Sequence, residues 1–268
     1  VDRIYRAKGR PATSPLIVHC ANTAMARDLA AIWPDAAERL AVRFWPGPLT
    51  LIVPKRDSIP DRVTAGLPTV GLRVPRHPIA LALLQAAGVP IAAPSANPFM
   101  GLSPTQADHV PATLADFALA GGPSEIGIES TVVSLAGEPT LLRPGMIPLA
   151  EIEAVLGHPL ATVSSAAEGP HASPGLHPQH YSPTTPLYLL TLTDPLPPGR
   201  GIWLSLAQPR PATAQHPMPT HPAPYAQSLY AVLHELDRQN WDWIAVEAPP
   251  AHPDWDGIRD RLSRAQHR

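Results

Sequence analysis

The chain has 268 residues, 44% of them hydrophobic and 16% charged, enough apolar material for one large or two ordinary globular domains. Its 37 prolines and 17 glycines make about a fifth of the residues, below the ~25–30% of low-complexity chains, so they are assigned mostly to turns and linkers. A formal net charge of −2 gives no field able to hold a nucleic-acid backbone or an anionic membrane without a local patch, and the single cysteine, Cys20, excludes an internal disulfide and a thiolate zinc site.

Val1, Ile4 and Tyr5 open the chain at helical spacing with no capping Ser, Thr or Asp ahead of them, so a further N-terminal piece is expected before Val1. Lys8-Gly9-Arg10-Pro11 breaks that half-helix, and residues 15–20 (PLIVHC) read as a buried strand ending near His19. Thr23 is expected to cap a helix running through Leu29 and Ile32 to Trp33, and Pro34-Asp35 starts a second one carrying Leu40, Val42 and Phe44. Residues 48–54 and 69–74 read as strands, 77–87 as an apolar helix and 89–92 as a short strand that exits into a turn at 94–98. A helix is expected over 105–114, with Pro111 as a breaker, then strands at 117–120, 130–135 and 140–143, and a closing helix at 149–156. The most apolar stretch, 80–94, is interrupted by Gln85, Gly88 and Pro90, far from the roughly eighteen uninterrupted residues of a membrane span. No membrane association and a cytoplasmic location are the expectations.

From 158 to 183 five prolines and small residues carry neither a helical nor a strand period, which marks a linker. Beyond it, residues 187–192, 201–206 and 241–246 read as strands, and 225–238 as a helix with Leu229, Val232, Leu233 and Leu236 on one face. The predicted organisation is an α/β domain of mixed strand order over 1–157, a linker and active-site lid over 158–184 and a small α/β domain over 185–268.

Several chemistries lose their usual signatures. Only two lysines occur, Lys8 and Lys55, and neither follows a glycine, so no GxxxxGK[ST] phosphate loop exists; GxGxxG after a strand, HExxH and GxSxG are missing too. His171, His177 and His180 cluster in the proline-rich segment without a thiolate companion, and no metal site is expected there.

What remains is a set of short polar motifs at breaks between elements, where α/β proteins collect binding residues. Lys8 and Arg10 place two cations in one turn, suited to a polyphosphate or simply to a solvated helix end. Arg73 sits among Val70, Leu72 and Val74 and needs a partner, whether a structural ion pair or a ligand. Pro94-Ser95-Ala96-Asn97 offers a hydroxyl, an amide and backbone N–H groups at a strand exit; Ser103-Pro104-Thr105 reads as a helix cap or a ligand loop. Ser130 and Thr131 enter a strand, and Arg143 ends another. Together they describe a site of Ser, Thr and Arg with no carboxylate pair and no Ser-His-Asp set, fit to hold a nucleotide while the substrate supplies its own nucleophile.

These residues resemble the two-domain threonylcarbamoyl-AMP synthases, whose catalytic part is the YrdC-like domain. The likeness runs through KGRP (8–11), PLIVH (15–19), FWPGPLTLI (44–52), TVGLRVP (69–75), APSAN (93–97), SPT (103–105), GIESTVV (127–133) and LLRPG (141–145), with SPG (173–175) and HYSP (180–183) similar to the family's linker. The resemblance implies a YrdC-like twisted mixed sheet with flanking helices, followed by the Pro-rich linker and a small Rossmann-like α/β domain. It implies condensation of L-threonine, bicarbonate and ATP to threonylcarbamoyl-AMP and pyrophosphate, with Mg²⁺ carried by the nucleotide and no covalent enzyme intermediate. The product would pass to a tRNA threonylcarbamoyl transferase complex, and weak tRNA binding is a further expectation.

By motif matching, Lys8, Arg10, Ser14, Thr69, Ser95, Asn97, Ser103 and Arg143 fall at the family's ATP positions, His19, Arg73 and Ser130 at its L-threonine positions, and Tyr181 in its lid. Lys8 and Arg10 would supply positioning and electrostatics. Ser14 stands where the family usually has Asn, Pro98-Phe99-Met100-Gly101 replaces a Ser-Gly pair, and the family's PTET-x-YGL motif would lie ahead of Val1. The alternatives are a non-catalytic RNA- or nucleotide-binding module that keeps the fold, against which stands the near-neutral charge, and a carbamoyltransferase, which should carry zinc-binding cysteines.

Overall fold

The computed structural model describes residues 1–163 and 180–267, and the chain packs as two units. The first comprises Val1–Ser95 and Glu129–His177, the second Ala96–Ile128 and Pro178–Arg268. Most of the proline-rich segment, with His171, Ser173 and His177, lies outside the described residues.

In the first unit α1 (Asp2–Lys8) ends at Gly9, whose φ of 62° is the left-handed cap that glycine adopts at little cost. It leads to β1 (Ile17–His19), α2 (Thr23–Leu29), α3 (Asp35–Phe44), β2 (Leu49–Pro54), α4 (Asp61–Thr64), β3 (Thr69–Arg73), α5 (Pro78–Ala87) and β4 (Ile91–Ala92). After the excursion into the second unit come β5 (Thr131–Ser134), β6 (Thr140–Arg143), α6 (Leu149–Leu156) and β7 (Ala161–Thr162). The cap of α2 is Asn22 rather than Thr23: its Oδ1 accepts the Met25 N–H at 2.8 Å. That helix stops at Leu29, because Ala30 turns extended and bridges to Lys55, leaving Ile32 on the surface.

The seven strands lie in the order β4-β1-β3-β2-β5-β6-β7. β1 runs parallel to β3, β2 to β5 and β6 to β7, while β4, β3 and β6 run antiparallel to β1, β2 and β5 respectively, a mixed sheet as expected. One face is closed by the core, in which Val18, Leu51, Val53, Val70, Leu72 and Val133 pack with Leu40, Phe44 and Ile152 from the helices.

In the second unit the segment 96–128 holds one short 3₁₀ turn, Ala107–His109. The helix expected over 105–114 does not form, since Pro111 cannot donate to a helical ladder and its ring would collide with the carbonyl four residues back. The strand expected at 117–120 is absent as well: Phe117 is 92% exposed and has no strand to pair with. The remainder is a parallel sheet of β8 (Leu187–Leu190), β9 (Gly201–Ser205), β10 (Ala214–Pro217) and β11 (Trp243–Glu247) in the order β10-β9-β11-β8. α7 (Pro222–Asp237) connects β10 to β11 and buries Leu229, Leu233 and Leu236, and α8 (Asp256–Ala265) follows β11. β10 and α8 were not foreseen: Ala214–Pro217 is half polar, and the apolar positions of α8 are diluted by five charged residues.

Candidate functional site

The side of the first sheet away from the core is where the polar motifs meet. On β3, Val70 and Leu72 are buried, so the alternation of a strand turns Thr69, Gly71 and Arg73 to the opposite face. Register carries that face across the sheet: Ile17 and His19 pair with Gly71 and Arg73, Ile52 with Gly71, Thr50 with Val132, and Val132 with Arg143. Ser130, two residues before Val132, shares it. His19, Thr69, Arg73, Ser130 and Arg143 therefore share one sheet face.

Arg143 is almost fully buried; its Nε and Nη2 donate to the Ser130 carbonyl at 3.1 and 3.0 Å, and Nη2 reaches the Ser130 hydroxyl at 3.2 Å. That hydroxyl also shares a 2.8 Å hydrogen bond with the buried Thr50 hydroxyl. Arg73 donates from Nε to the Gly47 carbonyl at 3.0 Å. Burial first and the neighbouring Arg143 charge second push the Arg73 guanidinium down to about 10, so it stays cationic at neutral pH. Burial and then Arg73 push His19 down to about 3, which keeps its imidazole neutral. Two cations and a neutral imidazole on one surface make a receptor for an anion beside a group that can accept a hydrogen bond.

A second cluster forms at the end of α1. Lys8, only 5% exposed, donates from Nζ to the Ser95 carbonyl at 2.6 Å. Burial, with a smaller push from Arg10, lowers its ammonium to about 8. Arg10, also buried, donates from Nη2 to the Ser14 hydroxyl at 2.6 Å and to the Pro15 carbonyl at 2.8 Å, so Ser14 acts in this structure as the acceptor that orients Arg10. The Tyr5 hydroxyl lies 3.1 Å from the Ser14 carbonyl oxygen and 3.0 Å from that of Arg62, tying the same loop to α4.

Asn97, Ser103 and Tyr181 belong to the second unit. Asn97 donates from Nδ2 to the Gly101 carbonyl at 2.7 Å, closing the turn that follows Ser95. Ser103 is buried, and its carbonyl lies 3.1 Å from Nε2 of His234. Tyr181 has a φ of 63° and is 2% exposed, its ring beside His180 and Tyr230 and under the Arg261 guanidinium at 5.2 Å. Ser182 beside it donates its backbone N–H to Met100, so the end of the linker pairs with the 97–101 turn.

Sequence reasoning passed over Thr50 and Tyr5. Thr50 had a readable signal, a lone hydroxyl in the otherwise apolar run PLTLIVP; Tyr5 had none, because an aromatic on an amphipathic helix reads as core. Among the described residues no group of three or more His, Cys, Asp or Glu is arranged to hold a metal ion, and no helix is long and apolar enough to cross a membrane.

Comparison with known proteins extends this picture. Residues 1–145 match the Sua5, YciO and YrdC family, described under telomere recombination, and residues 147–266 match the C-terminal domain of threonylcarbamoyl-AMP synthase. A threonylcarbamoyl-AMP synthase of Bacillus subtilis is 52% identical over 195 residues, and one of Pyrococcus abyssi 46% identical over 192; these cover 70% and 69% of this chain. The match spans only 56% of either relative's length. A threonylcarbamoyl-AMP synthase of Schizosaccharomyces pombe is 32% identical over 98% of this chain and 78% of its own length. In three dimensions the chain resembles P. abyssi Sua5 complexed with L-threonine, with a TM-score of 0.88 at 34% identity, over 98% of this chain and 83% of the other.

Proposed function

Because the chain belongs to the Sua5, YciO and YrdC family and continues into the C-terminal domain of threonylcarbamoyl-AMP synthases, we propose that it is the working part of an L-threonylcarbamoyladenylate synthase. In that reaction the amino nitrogen of L-threonine and bicarbonate give a carbamate with loss of water. A carbamate oxygen then attacks the α-phosphorus of ATP, the bond to the bridging oxygen breaks, and pyrophosphate leaves. No enzyme nucleophile is needed; what is needed is positioning and charge neutralisation.

The observation that carries this reading is the shared sheet face of His19, Thr69, Arg73, Ser130 and Arg143, with the buried cations Lys8 and Arg10 at the end of α1. In it Arg73, Ser130 and the neutral His19 hold L-threonine, the first by its carboxylate. Lys8, Arg10, Ser14, Thr69, Ser95 and Arg143 hold ATP, and Asn97, Ser103 and the lid residue Tyr181 join on the strength of their motifs. The solved relative complexed with L-threonine supports the amino-acid half of this assignment. Magnesium would offset phosphate charge and belongs to the nucleotide in this reading, since cations, hydroxyls and an imidazole are a poor donor set for a resident hard dication. The product is proposed to pass to a tRNA threonylcarbamoyl transferase complex in the cytoplasm.

The test is pyrophosphate release by the natural full-length protein. Release that requires L-threonine, bicarbonate and ATP together is the expected result. Tight, steeply salt-dependent tRNA binding with no release would overturn it in favour of a binding module.

A further inference from the structure

The turn that carries Ser103 is held by two histidines with no place in the reaction above. Pro104 has no N–H, and the backbone groups on either side of it belong to no helix or strand, so each needs another partner. The Ser103 carbonyl lies 3.1 Å from Nε2 of His234, on α7. The Thr105 N–H donates to Nδ1 of His109 at 3.3 Å, and the Thr105 hydroxyl is equally close to that nitrogen. The two imidazoles stack on each other, centroids 4.1 Å apart and planes 28° from parallel. These contacts fix the tautomers: Nε2 of His234 carries a proton, and Nδ1 of His109 does not. At the far end of the segment, Gly127 approaches α7 so closely that a Cβ there would come within 2.0 Å of the Ala226 carbonyl oxygen. The segment 96–128 is thus fastened to α7 at two points.

We propose that His234 and His109 are positioning residues for the nucleotide: from the C-terminal domain and the 107–109 turn, they hold the backbone of residues 103–105 in its ATP-binding shape without touching ATP. This rests on the reading of Ser103 as an ATP contact.

Calorimetric titration of the full-length protein with ATP, and separately with L-threonine, tests it. His234→Ala should raise the Kd for ATP about five- to tenfold, the loss of one buried hydrogen bond and its stack, and leave the Kd for L-threonine within about twofold. His234→Gln, which keeps a side-chain N–H for the Ser103 carbonyl, should recover most of the loss. His109→Phe keeps the stack but removes the acceptor for Thr105, and should weaken ATP about fivefold; it decides the matter if His234→Ala does not fold. Unchanged ATP affinity in these variants, equal weakening of both ligands, or no recovery with glutamine would overturn the inference alone. A wild-type protein that binds no ATP would overturn the reading of the site, and the inference with it.

Discussion

Lys8, like Arg73, is kept charged in the proposed site at a visible cost. An ammonium pushed by burial from 10.5 to about 8 is held in the folded chain at a cost on the order of 3 kcal/mol compared with water. A buried apolar side chain would avoid that, so the charge at this position is explained by what it meets. If a nucleotide polyphosphate lies beside Lys8, the anion stabilises the charged form and raises its pKa again. Binding of ATP near pH 8.5 should therefore draw a proton onto the protein. Calorimetry in two buffers of different ionisation heat measures this directly: the apparent enthalpy should change with buffer for the wild type and much less for Lys8→Met. Equal buffer dependence in both would place the titrating group elsewhere. The same lysine gives the free protein an alkaline signature. Its folded pKa lies below its unfolded one, so between about 8 and 10.5 the unfolded chain binds the proton more tightly, and stability rises with pH across that window.

Turns between strands, more than the strands, set where the site's groups stand. Gly145, just after β6, leaves no room for a side chain: a Cβ there would lie 2.4 Å from the Thr131 backbone nitrogen and 2.8 Å from the Ser130 carbonyl carbon. Neither atom can swing aside as a flexible side chain would. Gly145→Ala should thus cost about 2–4 kcal/mol in urea unfolding and shift Ser130, weakening L-threonine binding along with stability. Loss of stability with L-threonine affinity intact would separate Ser130 from that ligand. In the second unit the comparable position is already filled. Glu247, at the end of β11, accepts the backbone N–H groups of Leu206 at 2.7 Å and Ala207 at 3.0 Å, where an open parallel sheet could otherwise receive an anion. Strands of this kind were legible in the sequence wherever apolar runs were bounded by turn residues, and the alternation of β3 marked both the core face and Arg73. The cap of α2 and the unformed helix after Ser103 were not, because Asn22 and Pro111 each settle a boundary through a single local contact or clash.

At the scale of the whole molecule, the sequence concealed that residues 96–128 pack with the second unit while interrupting the chain of the first. No local pattern reports a contact such as that of His234 with Ser103, 131 positions apart. Placing Asn97 and Ser103 by motif required no knowledge of that packing, which is why those residues could be named while their neighbours could not. Both units share one consequence. His19 in the first and His109 and His234 in the second are all held below the ordinary imidazole value, each chiefly by burial. In each case the unfolded chain takes up a proton as pH falls through about 6.5 and the folded one resists, so stability is present above that pH and is lost below it. The surface carboxylates that are held low, Asp2, Glu38 and Asp194, act only in the more acid range where carboxyl groups titrate. The window from pH 6.5 to 5 thus belongs to the histidines. His19 alone, held at about 3, should withdraw about 2 kcal/mol between those values. Urea unfolding at pH 7.5 and 5.0 should show the wild type losing at least that much, and His19→Gln losing correspondingly less. Parallel losses in the two proteins would mean that the His19 imidazole accepts a proton in the folded state, and the neutral group proposed to face L-threonine would have to be another.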